Sequence, residues 1–258
     1  MLLHGQPGGA EIWQPVEARL AGRGLRLLAV DRPGYGASPL EPGGFGHNAD
    51  ALVGLLERSG PPAIVVAHSW AAGPAIVAAR RAPDLVDGLV LCAPVGDPRS
   101  VTALDRLLGG TRVGRGLLRV GLAVGGWLVA RPGGSRLLPA AGLGHLGDGE
   151  ARSATRPARD RRARRAAAVE QTALIEELVE VRRAAGHVRA ATVVLTGTED
   201  TVVTPSAAMA LAALIPGARV VDLEGGHLLP VEQPGAVADA VISLARAASV
   251  PERRGRGS

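Results

Sequence analysis

A chain of 258 residues, 47% of them hydrophobic, is long enough to close one large core without requiring a second domain. Aromatic residues make up only 2%, so Val, Leu, Ile and Ala must fill that core, and 36 glycines with 19 prolines predict many short, punctuated elements. The formal charge is +5, and the single cysteine, Cys92, excludes a disulfide scaffold.

In chain order, Met1 to Leu3 is too short for a full strand and leads directly into the tight loop HGQPGG at 4–9. The early strands of the sheet are therefore expected to be missing, with some fragility at that edge. No basic segment followed by a long apolar one marks a leader peptide, and a cytoplasmic protein is expected. LRLLAV reads as a strand and DRPGYGAS at 31–38 as the turn after it. AIVVAHS, Ala63 to Ser69, is a continuous apolar run that ends in two polar residues, the pattern of a buried strand reaching the end of its sheet. The following WAAGPAIVAARRAPD predicts a helix ending near Pro83, with Ala71, Ala72 and Gly73 allowing close packing on the sheet. A second buried strand is predicted over Gly88 to Ala93, a third over Ala191 to Thr196, a helix from Pro205, a strand over Ala218 to Leu223 and a last helix from Pro234 to Ala247. Strands alternating with helices predict an α/β fold with a mostly parallel sheet covered on both faces.

The middle of the chain breaks that rhythm. From about 96 to 186 it is rich in Gly, Arg and Ala, with helices predicted over 101–109, 113–130 and 160–185, the last placing Val169, Leu174, Leu178 and Val181 on one face. So long an insertion is read as a helical cap, 96–186, over a core formed by 1–95 and 187–258. The longest apolar stretch, from Val120 to Ala130, lies between Arg119 and Arg131 and falls short of the roughly 20 residues of a membrane span, so no membrane partner is expected. Arg156, Arg159, Arg161, Arg162, Arg164 and Arg165 cluster around Asp160 without interleaved aromatics, which predicts a solvated helix face or loop and no nucleic-acid partner.

Ser69 stands at a strand-to-helix junction, AHSWA, where a tight turn exposes a hydroxyl at the head of a helix. A hydroxyl needs a base to become a nucleophile, and His227, after the strand and two glycines of DLEGGH, is placed to serve. Asp200, just past VVLTG, is the candidate to hold the imidazole, with Glu199 and Asp97 as lesser alternatives. Asp222 and Glu224 are expected to give local support to the histidine loop. His4 is read as a structural hydrogen-bonding residue of its loop. His4, His47, His68, His145, His187 and His227 show no HExxH or comparable pairing, so no metal is inferred, and no nucleotide-loop motif or other cofactor signal is present. The Gln6 and Trp70 backbone N–H groups are the candidate pair to hold an oxyanion.

As a set, HGQPGG at 4–9, DRPGYGAS at 31–38, VVAHSWAAG at 65–73, TGTED at 196–200 and EGGHLLPVEQP at 224–234 resemble the α/β-hydrolase superfamily. The likeness is to its capped branch of esterases, haloperoxidase-like enzymes and carbon–carbon bond hydrolases. It implies Ser69, Asp200 and His227 as catalytic triad, Gln6 and Trp70 as oxyanion donors, and the DRPGYG turn as support for the oxyanion loop. Haloalkane dehalogenases and epoxide hydrolases of the superfamily use an aspartate nucleophile, and Ser69 stands there instead. Ala67 and Ala71 also replace both glycines of the usual G-x-S-x-G. The expected activity is serine-dependent hydrolysis of a small, largely apolar ester or related carbonyl compound. Alternatives are a peroxidase-like or lyase activity of the same fold and a catalytically silent binding protein.

Overall fold

A computed structural model describes residues 1–60, 62–139, 143–144 and 146–249; His145 lies outside them. The elements are, in order, β1 (Leu2–Leu3), α1 (Gln14–Leu20), β2 (Ala29–Val30), α2 (Phe45–Ser59), β3 (Ala63–His68), α3 (Ala72–Arg81), β4 (Val86–Cys92), α4 (Ala103–Gly110), α5 (Arg112–Val129), α6 (Asp148–Ala154), α7 (Arg161–Glu176), α8 (Leu178–Ala185), β5 (Ala191–Gly197), α9 (Pro205–Ala212), β6 (Arg219–Leu223), α10 (Leu229–Glu232) and α11 (Pro234–Ser249). The six strands form one parallel sheet in the order β2-β1-β3-β4-β5-β6.

The apolar runs that mark the central strands are continuous because both faces of the sheet are buried. On β3, Val65 and Ala67 join the cluster formed with α2, α3, α8 and α9, while Val66 joins Trp13 and Val16 of the opposite layer and α11. The same alternation places Leu89 and Leu91 of β4 on one side and Val90 and Cys92 on the other. Cys92 is fully buried, and burial pushes its thiol well above the ordinary range, as fits a small core residue.

Several expectations change. The short β1 is not the edge of the sheet: it pairs with β2 on one side and β3 on the other, and the Met1 ammonium donates to the Ile64 carbonyl at 2.8 Å. The edge is β2, reduced to Ala29–Val30 from the longer strand predicted over LRLLAV. α1, α2, α6 and α10 are absent from the sequence reading, and the helix expected over 160–185 is two helices that meet at Glu177. Val169 points outward, 36% exposed, whereas Leu174, Leu178 and Val181 are buried. Gly73 makes its close approach to the Phe45 ring of α2, where a Cβ would lie 2.7 Å from ring carbons. In the arginine run Arg156, Arg159, Arg161 and Arg165 are exposed as expected, while Arg162 donates to the carbonyls of Ser38 and Leu40, which ties α7 to the turn at 31–38.

Sheet order positions the site. The chain leaves β1 for β2 on one side, then crosses back to β3 on the other, so the loops after β1 and β3 diverge at the carboxyl ends of adjacent strands. Such a switch point opens a crevice without further design.

Candidate active site

Ser69 directly follows β3 and opens a short 3₁₀ turn, Ser69–Ala71, that feeds α3. Its φ is 54°, in the left-handed region that a residue with a Cβ adopts only at a cost of about 1–3 kcal/mol. Ala67 and Ala71, where glycines are usual, are completely buried and tolerated. The close approach is supplied from across the crevice: a Cβ on Gly5 would lie 2.8 Å from His68 Nδ1 and 3.0 Å from Ser69 Cβ. The missing side chain therefore belongs to the loop after β1 rather than to the elbow.

Three polar side chains from separate loops meet here. Ser69 Oγ lies 2.9 Å from His227 Nε2, and His227 Nδ1 lies 2.8 Å from Asp200 Oδ2. With a carboxylate on Nδ1, the Nδ1–H donates to Asp200, leaving Nε2 as the acceptor for the Ser69 hydroxyl. Asp200 is fixed in turn, because its Oδ1 accepts from the backbone N–H groups of Val202 at 2.8 Å and Val203 at 2.9 Å. All three residues are buried. Neither alternative acid reaches His227: Asp97 pairs with Arg182 and accepts from the Arg99 N–H, and Glu199 is exposed. Support for the histidine loop comes from Glu232, which accepts from the Gly226 N–H at 2.8 Å, rather than from the side chains of Asp222 or Glu224.

His68 was not singled out by its sequence context, yet it braces this loop. Its Nε2–H donates to the His227 carbonyl at 2.8 Å. Burial, reinforced by the neighbouring His227, lowers its pKa to about 3, so it stays neutral. His4 has the structural role expected of it. Its ring bonds the Gly5 carbonyl at 2.8 Å and accepts from the Arg32 N–H at 3.1 Å.

Behind the loop after β1 lies a buried ionic cluster of which only Arg32 and Tyr35 belong to a recognised motif. Arg32 donates to the carbonyls of His4 at 2.7 Å and Gly5 at 2.8 Å, and pairs with Glu170 of α7. Tyr35 donates to the same carboxylate at 2.6 Å. Burial pushes the Glu170 carboxyl up, against the opposing pull of Arg32; for Arg32, burial works against the charge, but Glu170 and Tyr35 together outweigh it and hold the guanidinium protonated. Trp70 Nε1 donates to the Glu170 carbonyl at 3.2 Å, and Gln6 Nε2 to the Ala167 carbonyl at 2.6 Å. The two residues chosen as oxyanion donors thus both anchor their side chains on α7. Glu170, the carboxylate at the centre of the cluster, left a trace in the sequence, a lone acid at core-facing spacing from Ala163, Ala166, Ala167 and Ala173.

Ser69, Trp70, Gln6 and His227 line a cavity of about 190 Å³, closed over by Leu118 and Leu122 of α5 and Leu174 of α7. His227, Gln6 and Leu122 also border a second cavity of about 270 Å³, walled chiefly by Leu, Val, Gly and Ala. The larger groove beside β2, about 440 Å³, is lined by none of the three triad residues.

Residues 1–240 match the model of the alpha/beta hydrolase family, and the chain belongs to that family. Among solved structures, a thermophilic esterase from Thermogutta terrifontis superposes with a TM-score of 0.72 at 23% identity, over 96% of this chain and 89% of that one. A haloalkane dehalogenase from Bradyrhizobium elkani superposes with a TM-score of 0.70 at 23% identity, over 95% and 90%. These likenesses concern the fold. A 2-(acetamidomethylene)succinate hydrolase from Mesorhizobium japonicum is 33% identical over 93 residues, 35% of this chain and 33% of that relative. A pimeloyl-(acyl-carrier protein) methyl ester esterase from Pectobacterium carotovorum is 35% identical over 95 residues, 36% of this chain and 35% of the relative. The matches thus span about a third of the length of these curated relatives. The family is thus that of the alpha/beta hydrolases, and the solved neighbours share its fold.

Proposed function

We propose that the protein hydrolyses a small, largely apolar ester or related carbonyl compound through an acyl-enzyme on Ser69. The observation that carries this reading is the unbroken hydrogen-bond chain from Ser69 Oγ through His227 to Asp200 at the wall of an apolar cavity. His227 Nε2 takes the hydroxyl proton as Ser69 Oγ bonds to the carbonyl carbon, and the oxyanion accepts hydrogen bonds from the Gln6 and Trp70 N–H groups. The carbonyl re-forms as the bond to the leaving oxygen breaks, and the imidazolium protonates that oxygen. Water, deprotonated by His227, then attacks the acyl-enzyme, and collapse of the second oxyanion returns the proton to Ser69 and releases the acid. Asp200 stays ionised throughout and stabilises the imidazolium.

The names of the two curated relatives, one a hydrolase and one a methyl ester esterase, support carbonyl chemistry of this kind. Ser69 in place of an aspartate argues against the alkyl-enzyme chemistry of the dehalogenase neighbours. A fluorophosphonate probe tests the proposal: it is expected to label the native chain and not Ser69→Ala. Absence of labelling on folded native protein refutes an activated Ser69 and favours a silent binding protein.

A further inference from the structure

Helix α5 is apolar on both faces. Inward, Leu118 and Leu122 line the Ser69 cavity. Outward, Val113, Leu117, Val120, Val124 and Trp127 follow one another in alternating steps of four and three residues, and so run in one line down the helix. Their exposures are 74%, 58%, 62%, 50% and 53%. Leu104 and Leu107 of α4, which packs against α5, are 61% and 60% exposed and widen the stripe. Scattered exposed apolar residues are ordinary, but a contiguous band of this extent calls for an occupant.

Charge selects the occupant. From Arg106 to Gly147 the chain contains six arginines and no Asp or Glu. Arg106, Arg112, Arg119, Arg131 and Arg136 are exposed, while Arg115 turns inward to the Gly109 carbonyl. The Arg131 guanidinium sits 3.5 Å from the centre of the Trp127 ring, pairing a cation with an aromatic at one end of the stripe. A second copy of the chain would set this arginine rim against itself, like charge to like. The stripe has no polar position with which a folded protein partner would fix its register. Among the described residues no helix is long and apolar enough to cross a membrane. An apolar stripe flanked by arginines, with a tryptophan near its end, has the composition of a helix that lies in the plane of an anionic lipid surface.

We propose that the outer face of α5, with the adjoining edge of α4, docks the protein on an anionic membrane, Val113 to Trp127 entering the headgroup region and the arginines meeting lipid phosphates. Docking of this kind needs no spanning helix, so it is compatible with the lack of one among the described residues. Docking does not depend on the catalytic reading. Where that reading holds, one helix separates the lipid from the Ser69 cavity.

Co-sedimentation with vesicles tests the proposal without reference to activity, using phosphatidylcholine alone and an equimolar mixture with phosphatidylglycerol. The native chain is expected to sediment with the mixed vesicles and weakly with the neutral ones. Replacing two exposed arginines, Arg112→Gln with Arg119→Gln, lowers partition by about fivefold per residue. Val120→Glu with Val124→Glu, at positions whose exposure leaves folding intact, abolishes it. Equal binding to both vesicle types, sedimentation that survives both double variants, or no binding at all overturns the proposal. A concentration-dependent dimer in light scattering that Val120→Glu with Val124→Glu dissociates, without vesicle binding, assigns the face to a second copy instead.

Discussion

The loops at the carboxyl ends of the strands and the helices between β4 and β5 build the same cavity by different means. Ser69 directly follows β3, Asp200 and His227 lie a few residues past β5 and β6, and the parallel sheet sets their separation. α5 and α7 contribute through apolar side chains and through one buried carboxylate, Glu170, whose partners lie 138 and 135 residues away in sequence at Arg32 and Tyr35. The first group does its work by local geometry and the second by distant pairing. Chemistry placed at strand ends therefore depends on individual atoms, while the covering helices depend on the few contacts that hold them down.

The comparison is sharpest where the loops are altered. Under the proposed mechanism Ser69→Ala lowers kcat by about 10⁶-fold and Asp200→Asn by about 10⁴-fold, with urea midpoints little changed. Steady-state kinetics against an ester panel checks both values, and an Asp200→Asn variant with native turnover would break the assignment of the acid. The covering helices respond in stability instead. Glu170→Ala leaves Arg32 charged and unpaired in the interior, and is expected to cost about 3–5 kcal/mol in urea unfolding, with Glu170→Gln milder. An unchanged midpoint would mean that α7 rests on the core without depending on this pair.

The smallest effect concerns the brace between the two regions. His68 has a folded pKa of about 3 against an ordinary 6.5, so the unfolded chain binds the extra proton at intermediate pH. Its contribution is complete above pH 6.5 and is lost as the pH falls from 6.5 toward 3. Between neutral pH and pH 5 the loss is about 2 kcal/mol. His68→Gln, which keeps a donor near the His227 carbonyl, should make that part of the stability profile shallower, leaving the share of His4, whose pKa burial also holds well below the ordinary value. A native profile already flat there would refute a buried neutral His68.

The division between legible and hidden residues follows the same line. β3, β4 and β5 announced themselves as apolar runs because both of their faces are buried, and the polar residues just past β3 and β5 marked their loops. α2 carries Phe45, Ala49, Leu52 and Leu56 at helical spacing, but a glycine-rich approach through Gly43 and Gly44 masked its start. α1 is seven residues long and opens on a Gln-Pro pair, too short to show a period. Glycine at position 5 was read as part of a loop. Only the packed structure reveals that its missing Cβ makes room for Ser69.

By itself the sequence determined the fold class and the order of the central strands along the chain, and it picked out three polar residues that the structure joins by hydrogen bonds. These follow from short-range rules: which runs bury both faces, and which polar residues interrupt them. Tertiary structure decided that β1 lies inside the sheet, that Glu170 and His68 brace the site, and that one face of α5 remains uncovered. Each of those depends on a partner far away in the chain, or on the lack of one, and spacing within a segment carries no record of it.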